Sequence, residues 1–200
     1  MTRRRGLFIV LEGPDKSGKS TQARRLAEAL RARGLTVLHT REPGGTSVAE
    51  GVRAVLLNPQ LQIDPVAELF LYEASRAQHV AEKIRPALAR GETVVCERFT
   101  MSTDAYQGVA RGLGLKTTRT LNAVATGGLK PDLTVVLDIP VDEFDSRDQK
   151  RALDRLEREH VSFRVAVRKG YRALAKAPKT VLIDATKPAE EIHRLILSKI

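Results

Sequence analysis

Gly13-Pro14-Asp15-Lys16-Ser17-Gly18-Lys19-Ser20 fits the pattern G-x-x-x-x-G-K-[ST], a phosphate-binding loop. Its flanks are those such a loop requires. Gly6-Leu7-Phe8-Ile9-Val10-Leu11 before it is short, apolar and β-prone, the pattern of a buried parallel strand. Thr21-Gln22-Ala23-Arg24-Arg25-Leu26-Ala27-Glu28-Ala29-Leu30 after it carries Ala and Leu at helical spacing. The glycines let backbone N–H groups converge on one concavity, and the helix expected from Ser20 adds its positive dipole end. Lys19 has the reach for β- and γ-phosphates, and the Ser20 hydroxyl suits Mg²⁺.

Working outward, strand and helix patterns alternate, which argues for helices on both faces of a parallel sheet. Gly34 sits where a C-terminal cap belongs, and Leu35-Thr36-Val37-Leu38-His39-Thr40 reads as a second strand. Arg41-Glu42-Pro43-Gly44-Gly45-Thr46 is a loop at its carboxyl end, with a helix following to about Leu57. Residues 65–90 read as one long helix with a kink or break at Pro86. Glu92-Thr93-Val94-Val95-Cys96-Glu97, Leu133-Thr134-Val135-Val136-Leu137-Asp138 and Thr180-Val181-Leu182-Ile183-Asp184 supply three more strands. Further helices are expected over 102–110, 115–126, 161–175 and 188–200, while 141–158 is densely charged and weakly patterned. The expectation is a three-layer α/β/α P-loop NTPase fold with a five-stranded parallel sheet, as one domain over residues 1–200. Ligands of open parallel sheets bind beyond the carboxyl ends of the strands. The phosphate loop and the loops bearing Arg41, Glu97-Arg98 and Asp138 are therefore expected at one edge.

Composition narrows the class. The hydrophobic share of 42% is that of a globular chain, and no apolar run reaches the length that spans a membrane, so no membrane partner is expected. Arg3-Arg4-Arg5 and the apolar stretch after it imitate a signal peptide, but that stretch is short and runs into Glu12 and the glycine loop. The single cysteine, Cys96, suits a reducing cytoplasm, and the scattered histidines show no metal-ligand spacing. A net charge of +10 admits nucleic acid or polyanionic substrates. Because the arginines spread along the chain, the excess is read as solvated surface plus a phosphate-rich site, with no nucleic-acid partner.

Five further segments stand in a particular order: Arg41-Glu42-Pro43-Gly44-Gly45-Thr46, Glu73-Ala74-Ser75-Arg76-Ala77-Gln78-His79-Val80, Glu97-Arg98-Phe99 with Ser102-Thr103-Asp104-Ala105-Tyr106-Gln107-Gly108, Gly128-Leu129-Lys130-Pro131-Asp132-Leu133-Thr134, and Leu153-Asp154-Arg155-Leu156-Glu157. Together with the phosphate loop they resemble the thymidylate kinase family, from about Leu7 to Ile196. The resemblance implies transfer of the γ-phosphate of ATP to dTMP with Mg²⁺, a homodimer, and a mobile lid at about 141–158. It implies ATP binding by Gly13 through Thr21. By the same resemblance Arg98 clamps the acceptor phosphate, with Arg41 and Arg53 as further candidates. Tyr72, where the family usually has phenylalanine, stacks on thymine, and Arg76 hydrogen-bonds the base. Thr103 reads its N3 edge. Tyr106 and Gln107 face the deoxyribose, and Asp15 faces the 3′-hydroxyl. Plainer roles stay open for several: core packing for Tyr72, a helix cap for Thr103, solvated surface for Arg53 and Gln107.

Three departures from the family pattern bear on mechanism. Glu97 stands where aspartate is usual, with its carboxylate one methylene further out, so the Mg²⁺-water or arginine contact it would make must shift. Lys16 occupies a loop position that carries arginine in one subgroup and glycine in another, whose catalytic arginines come from the lid. Here Lys16 and the lid arginines, Arg147 first and Arg151 second, all compete for that role beside Lys19. The lid also looks about one residue short. Rival readings are a kinase for another nucleoside monophosphate and a nucleic-acid-binding P-loop ATPase.

Overall fold

In the computed structural model, which describes residues 5–147 and 152–200, the first strand is β1 (Phe8–Glu12), and all five of its residues are buried. That is the burial of a strand covered on both faces. The chain then turns through the glycine loop into α1 (Lys19–Ala32). In order there follow β2 (Val37–Arg41), α2 (Ser47–Leu57), α3 (Pro65–His79), α4 (Arg85–Ala89), β3 (Thr93–Glu97), α5 (Thr100–Thr103) and α6 (Leu115–Thr126). Then come β4 (Leu133–Asp138), α7 (Glu143–Ser146), α8 (Val161–Leu174), β5 (Thr180–Asp184) and α9 (Ala189–Leu197). The strands form one parallel five-stranded sheet in the order β2-β3-β1-β4-β5. The α/β/α fold expected from the alternation is the fold observed.

Side chains alternate across the sheet and build a core on each face. Ile9, Leu11, Val95, Val135 and Leu137 pack with Ala23, Leu26 and Leu30 of α1 and with Ile192 and Ile196 of α9. Phe8, Val10, Val94 and Cys96 face Val80, Ile84, Ala87 and Leu88 on the other side. Each fully buried Ile, Leu or Phe stabilises the fold by about 1.5–3 kcal/mol. β1 lies between β3 and β4, with Ile9 opposite Val95 and Leu11 opposite Val135. This central place puts the loop after β1 beside the ends of both neighbours.

Of the kink or break expected at Pro86, the break does not occur. α3 continues through a π-helical turn at Val80–Ile84 into α4, where Pro86 stands in the first turn. Pro86 cannot donate to, and would clash with, the carbonyl four residues earlier, that of Glu82, and Glu82 lies in the wider π-helical turn. The helix expected over 102–110 is instead α5 followed by a π-helical turn at Asp104–Ala110. Among the described residues, no helix is long and apolar enough to cross a membrane.

Candidate active site

Gly13 adopts φ 137°, and a Cβ there would come within 2.3 Å of the Leu137 carbonyl oxygen, so glycine is required. Gly18, at φ 88°, leads into α1 without any side-chain cap. The N–H groups of that first turn are left to an anion. Lys19 Nζ donates to the carbonyls of Gly13 (3.0 Å) and Pro14 (2.6 Å) and to Ser17 Oγ (3.3 Å). Burial, and after it the charge of Arg98, presses the Lys19 pKa down to about 7. A polyphosphate would supply the negative charge that this desolvated cation lacks.

Arg98 leaves the end of β3, and its N–H donates to the Leu11 carbonyl (2.8 Å). Its guanidinium donates to the Gly13 carbonyl (3.0 Å), Ser102 Oγ (3.2 Å), the Tyr171 hydroxyl (3.0 Å) and Asp15. Asp15 also accepts from the Tyr106 hydroxyl at 2.7 Å. Burial works to raise the Asp15 pKa, but Arg98, Lys19 and Tyr106 outweigh it and hold the carboxyl below its ordinary value. Beneath lies the fully buried Glu12. Its Oε1 accepts from the N–H groups of Phe99 (2.8 Å) and Ser102 (3.2 Å); its Oε2 accepts from Ser102 Oγ (2.6 Å) and the Tyr171 hydroxyl (3.1 Å). Sequence reasoning missed Glu12, Ser102 and Tyr171. An acid directly before the glycine loop is the signal that Glu12 offered. Tyr171, 73 residues beyond Arg98, offered none.

At the other end of the loop, Ser20 Oγ donates to Glu97 Oε2 at 2.5 Å, and His39 Nε2 lies 3.0 Å from Glu97 Oε1. Burial raises the Glu97 pKa, but the His39 and Ser20 hydrogen bonds and nearby charges bring it below its ordinary value. A hydroxyl and an ionised carboxylate side by side are the hard oxygen donors that fit Mg²⁺. Among the described residues, no group of three or more His, Cys, Asp and Glu side chains could hold a metal ion alone. Magnesium commonly takes one or two carboxylates and completes its shell with phosphate and water.

A cleft of about 600 Å³ joins these groups. Asp15, Lys16, Gly18, Lys19, Ser20 and Thr21 line its loop side, while Gly13, Pro14 and Ser17 lie off that wall. Arg41, Arg53, Tyr72, Glu97 and Arg98 line the rest, with Thr103, Tyr106, Gln107 and Arg147. Arg53 donates to the Pro43 carbonyl (2.8 Å), and burial together with Arg41 lowers its pKa. Arg41 pairs with Glu50 at 3.1 Å. Two guanidinium groups crowded on one wall favour an incoming anion. Burial raises the Tyr72 pKa, so its hydroxyl stays neutral beside that charge.

Three expectations need correction or qualification. Arg76 does not line the cleft; its side chain is 2% exposed. It donates to Glu42 Oε2, Glu73 Oε1, Thr103 Oγ1 and Asn122 Oδ1, each at 2.8 Å, and to the Phe99 carbonyl. It stands behind the wall and fixes Glu42 and Thr103, which do line it. The loop bearing Asp138 does leave the carboxyl end of β4, as expected, but the Asp138 carboxylate itself accepts from Arg168 (2.8 Å) and Arg172 (2.6 Å) of α8. Arg151 lies outside the described residues, and the role expected of it with it.

The remaining basic groups are placed. Lys16 Nζ sits 4.3 Å from the centroid of the Phe144 ring on α7. Arg147 Nη2 donates to Glu143 Oε2 (2.5 Å) and the Ala185 carbonyl (2.9 Å). Arg155 pairs through Nη1 with the fully buried Glu68 (2.7 Å), which also accepts from Gln107 (2.7 Å) and Arg111.

A glycine loop that opens an uncapped helix, with Lys19 at its start and Arg98 from the end of β3 donating to the same Gly13 carbonyl, is the site of a P-loop kinase. The model of the family described as thymidylate kinase matches residues 11–196. A thymidylate kinase of Pseudomonas fluorescens is 51% identical, over 96% of this chain and 93% of its own. One of Deinococcus radiodurans is 48% identical, over 94% and 93%. The crystal structure of thymidylate kinase from Ehrlichia chaffeensis matches with a TM-score of 0.78 at 32% identity, covering 97% of this chain and 98% of that one. The chain belongs to the thymidylate kinase family.

Proposed function

We propose that this protein transfers the γ-phosphoryl group of ATP to dTMP, giving ADP and dTDP. An oxygen of the dTMP phosphate attacks the γ-phosphorus while its bond to the β,γ-bridging oxygen breaks. Such transfer asks for in-line positioning and neutralised charge more than for covalent chemistry. The observation that carries the reading is the shared Gly13 carbonyl, which brings the Lys19 and Arg98 cations together at the mouth of the glycine loop.

On the donor side, Gly13 through Thr21 hold the polyphosphate, with Lys19 on its terminal groups. Ser20 and Glu97 would hold Mg²⁺, whose chemistry is to neutralise charge between the β- and γ-phosphates. On the acceptor side, Arg98, Arg41 and Arg53 take the dTMP phosphate, and Asp15 keeps the Arg98 fork in its plane while facing the 3′-hydroxyl. The Tyr72 ring stacks on thymine. Thr103, held by Arg76, reads the base edge. Tyr106 and Gln107 close the sugar side, where a bulky ring leaves no room for a 2′-hydroxyl. In the lid proposed at about 141–158, Arg147 supplies charge to the transferring group, with Lys16 as a smaller source.

The working form is a cytoplasmic homodimer. Val48, Val66, Phe70 and Val124 are exposed on α2, α3 and α6, helices that pack in sequence against one another. Phe70→Glu should convert the dimer to monomers in light scattering. The activity is tested by coupled ADP release with ATP and Mg²⁺ over dTMP, dUMP, AMP, CMP and GMP. dTMP should give the highest kcat/KM; equal or better use of AMP, CMP or GMP would reject the assignment.

A further inference from the structure

Glu97 divides its two oxygens between two partners, Ser20 Oγ on Oε2 and His39 Nε2 on Oε1. His39 belongs to β2, where it pairs in register with Val95 while Arg41 pairs with Glu97. Residues two apart on a strand share a face, so His39 and Glu97 lie on one side of the sheet. His39 is absent from the wall of the main cleft. It lines an open groove on the other side of Glu97, with Thr40, Arg41 and Glu50. A substrate in the cleft therefore meets Glu97 and not His39.

A glutamate carries one more rotatable bond than an aspartate, and a single hydrogen bond leaves its carboxylate free to turn. The Nε2–H tautomer of His39 donates to Oε1 and removes that freedom. We infer that His39 is the positioning residue for Glu97: it fixes which carboxylate oxygen faces Ser20 and the magnesium end of the cleft. The inference rests on the kinase reading above. Partners of this kind orient a metal-holding carboxylate and act on metal affinity more than on nucleotide affinity.

The test follows Mn²⁺ binding to the protein–ADP complex, read from the loss of the free-ion electron paramagnetic resonance signal. ADP affinity in EDTA is measured in parallel by calorimetry. His39→Leu should weaken Mn²⁺ binding about tenfold and leave metal-free ADP affinity unchanged. His39→Gln, whose amide can donate to the same oxygen, should stay close to the parent. In a Glu97→Asp background, whose shorter carboxylate cannot span both partners, His39→Leu should add little. The inference is overturned if His39→Leu binds Mn²⁺ like the parent, if the glutamine variant is as weak as the leucine one, or if metal-free ADP affinity falls equally. Absence of Mn²⁺-linked ADP binding in the parent would instead count against the kinase reading itself.

Discussion

Lys19 and Arg98 share one acceptor: each donates a hydrogen bond to the Gly13 carbonyl oxygen, at 3.0 Å. They come from separate elements, brought together because β1 and β3 are neighbours and the Arg98 N–H bonds to the Leu11 carbonyl. Two cations this close repel, and that repulsion is part of what lowers the Lys19 pKa. Asp15, Glu12 and the loop carbonyls hold them in place. Two facing phosphates would hold them better.

Arg98→Ala should weaken dTMP far more than ATP. The loss of a charge-assisted phosphate contact costs about 1.5–3 kcal/mol, read as dTMP affinity by calorimetry. Arg98→Lys should not restore it, because an ammonium cannot fork between Asp15 and a phosphate. Equal losses for ATP and dTMP would place Arg98 wrongly.

Arg147→Ala should lower the turnover number more than Lys16→Ala. Both line the cleft, but the Lys16 ammonium rests against the Phe144 ring and is a point charge, whereas the Arg147 guanidinium, held by Glu143 and the Ala185 carbonyl, is a planar fork able to take two phosphate oxygens. A larger effect of Lys16→Ala in single-turnover rates would assign the catalytic charge to the loop.

Glu68→Ala should be among the most damaging changes distant from the phosphates. It leaves Arg155 without its carboxylate partner and strips one from Arg111. Breaking a buried pair from one side costs about 3–5 kcal/mol, measurable by urea unfolding. Because Gln107 also bonds Glu68, the dTMP KM should rise as well. Unchanged stability would contradict the reading of Glu68 as the joint between α3 and the 152–159 segment.

Three buried carboxyls, Glu12, Glu73 and Asp104, should each withdraw stability as pH rises above the ordinary carboxylate range. Burial raises the pKa values of Glu12, Glu73 and Asp104. Between the unfolded and folded pKa values the native state holds more protons, so their contribution is complete below the unfolded value and is lost as pH climbs through the folded one. Glu73 also keeps a buried Oε2 without a hydrogen-bond partner. Glu73→Gln should flatten the decline of Tm as pH climbs above the ordinary glutamate range; an unaltered slope would show that Glu73 is ionised throughout.

Much of this was legible in the sequence, for reasons that differ by element. The glycine loop is local: Gly13, Gly18, Lys19 and Ser20 each act within one strand–turn–helix unit, so spacing identifies them. The strands were legible from β-branched runs, but their order was not, since parallel register depends on pairs far apart in sequence. Tyr72 and Arg76 lie one turn apart on α3, and nothing local distinguishes them. The Arg76 guanidinium is captured by Glu42, 34 residues earlier, and so leaves the cleft to its neighbours. Pro86 was legible as a punctuation mark, but the π-helical turn that precedes it was not.

The most direct measurement follows the label of [γ-³²P]ATP incubated with the protein, Mg²⁺ and dTMP. The label should move to dTDP, and Lys19→Met should abolish that transfer while Tm holds or rises, since a desolvated cation beside Arg98 is removed. Label that appears as inorganic phosphate at the same rate with or without dTMP would contradict the account.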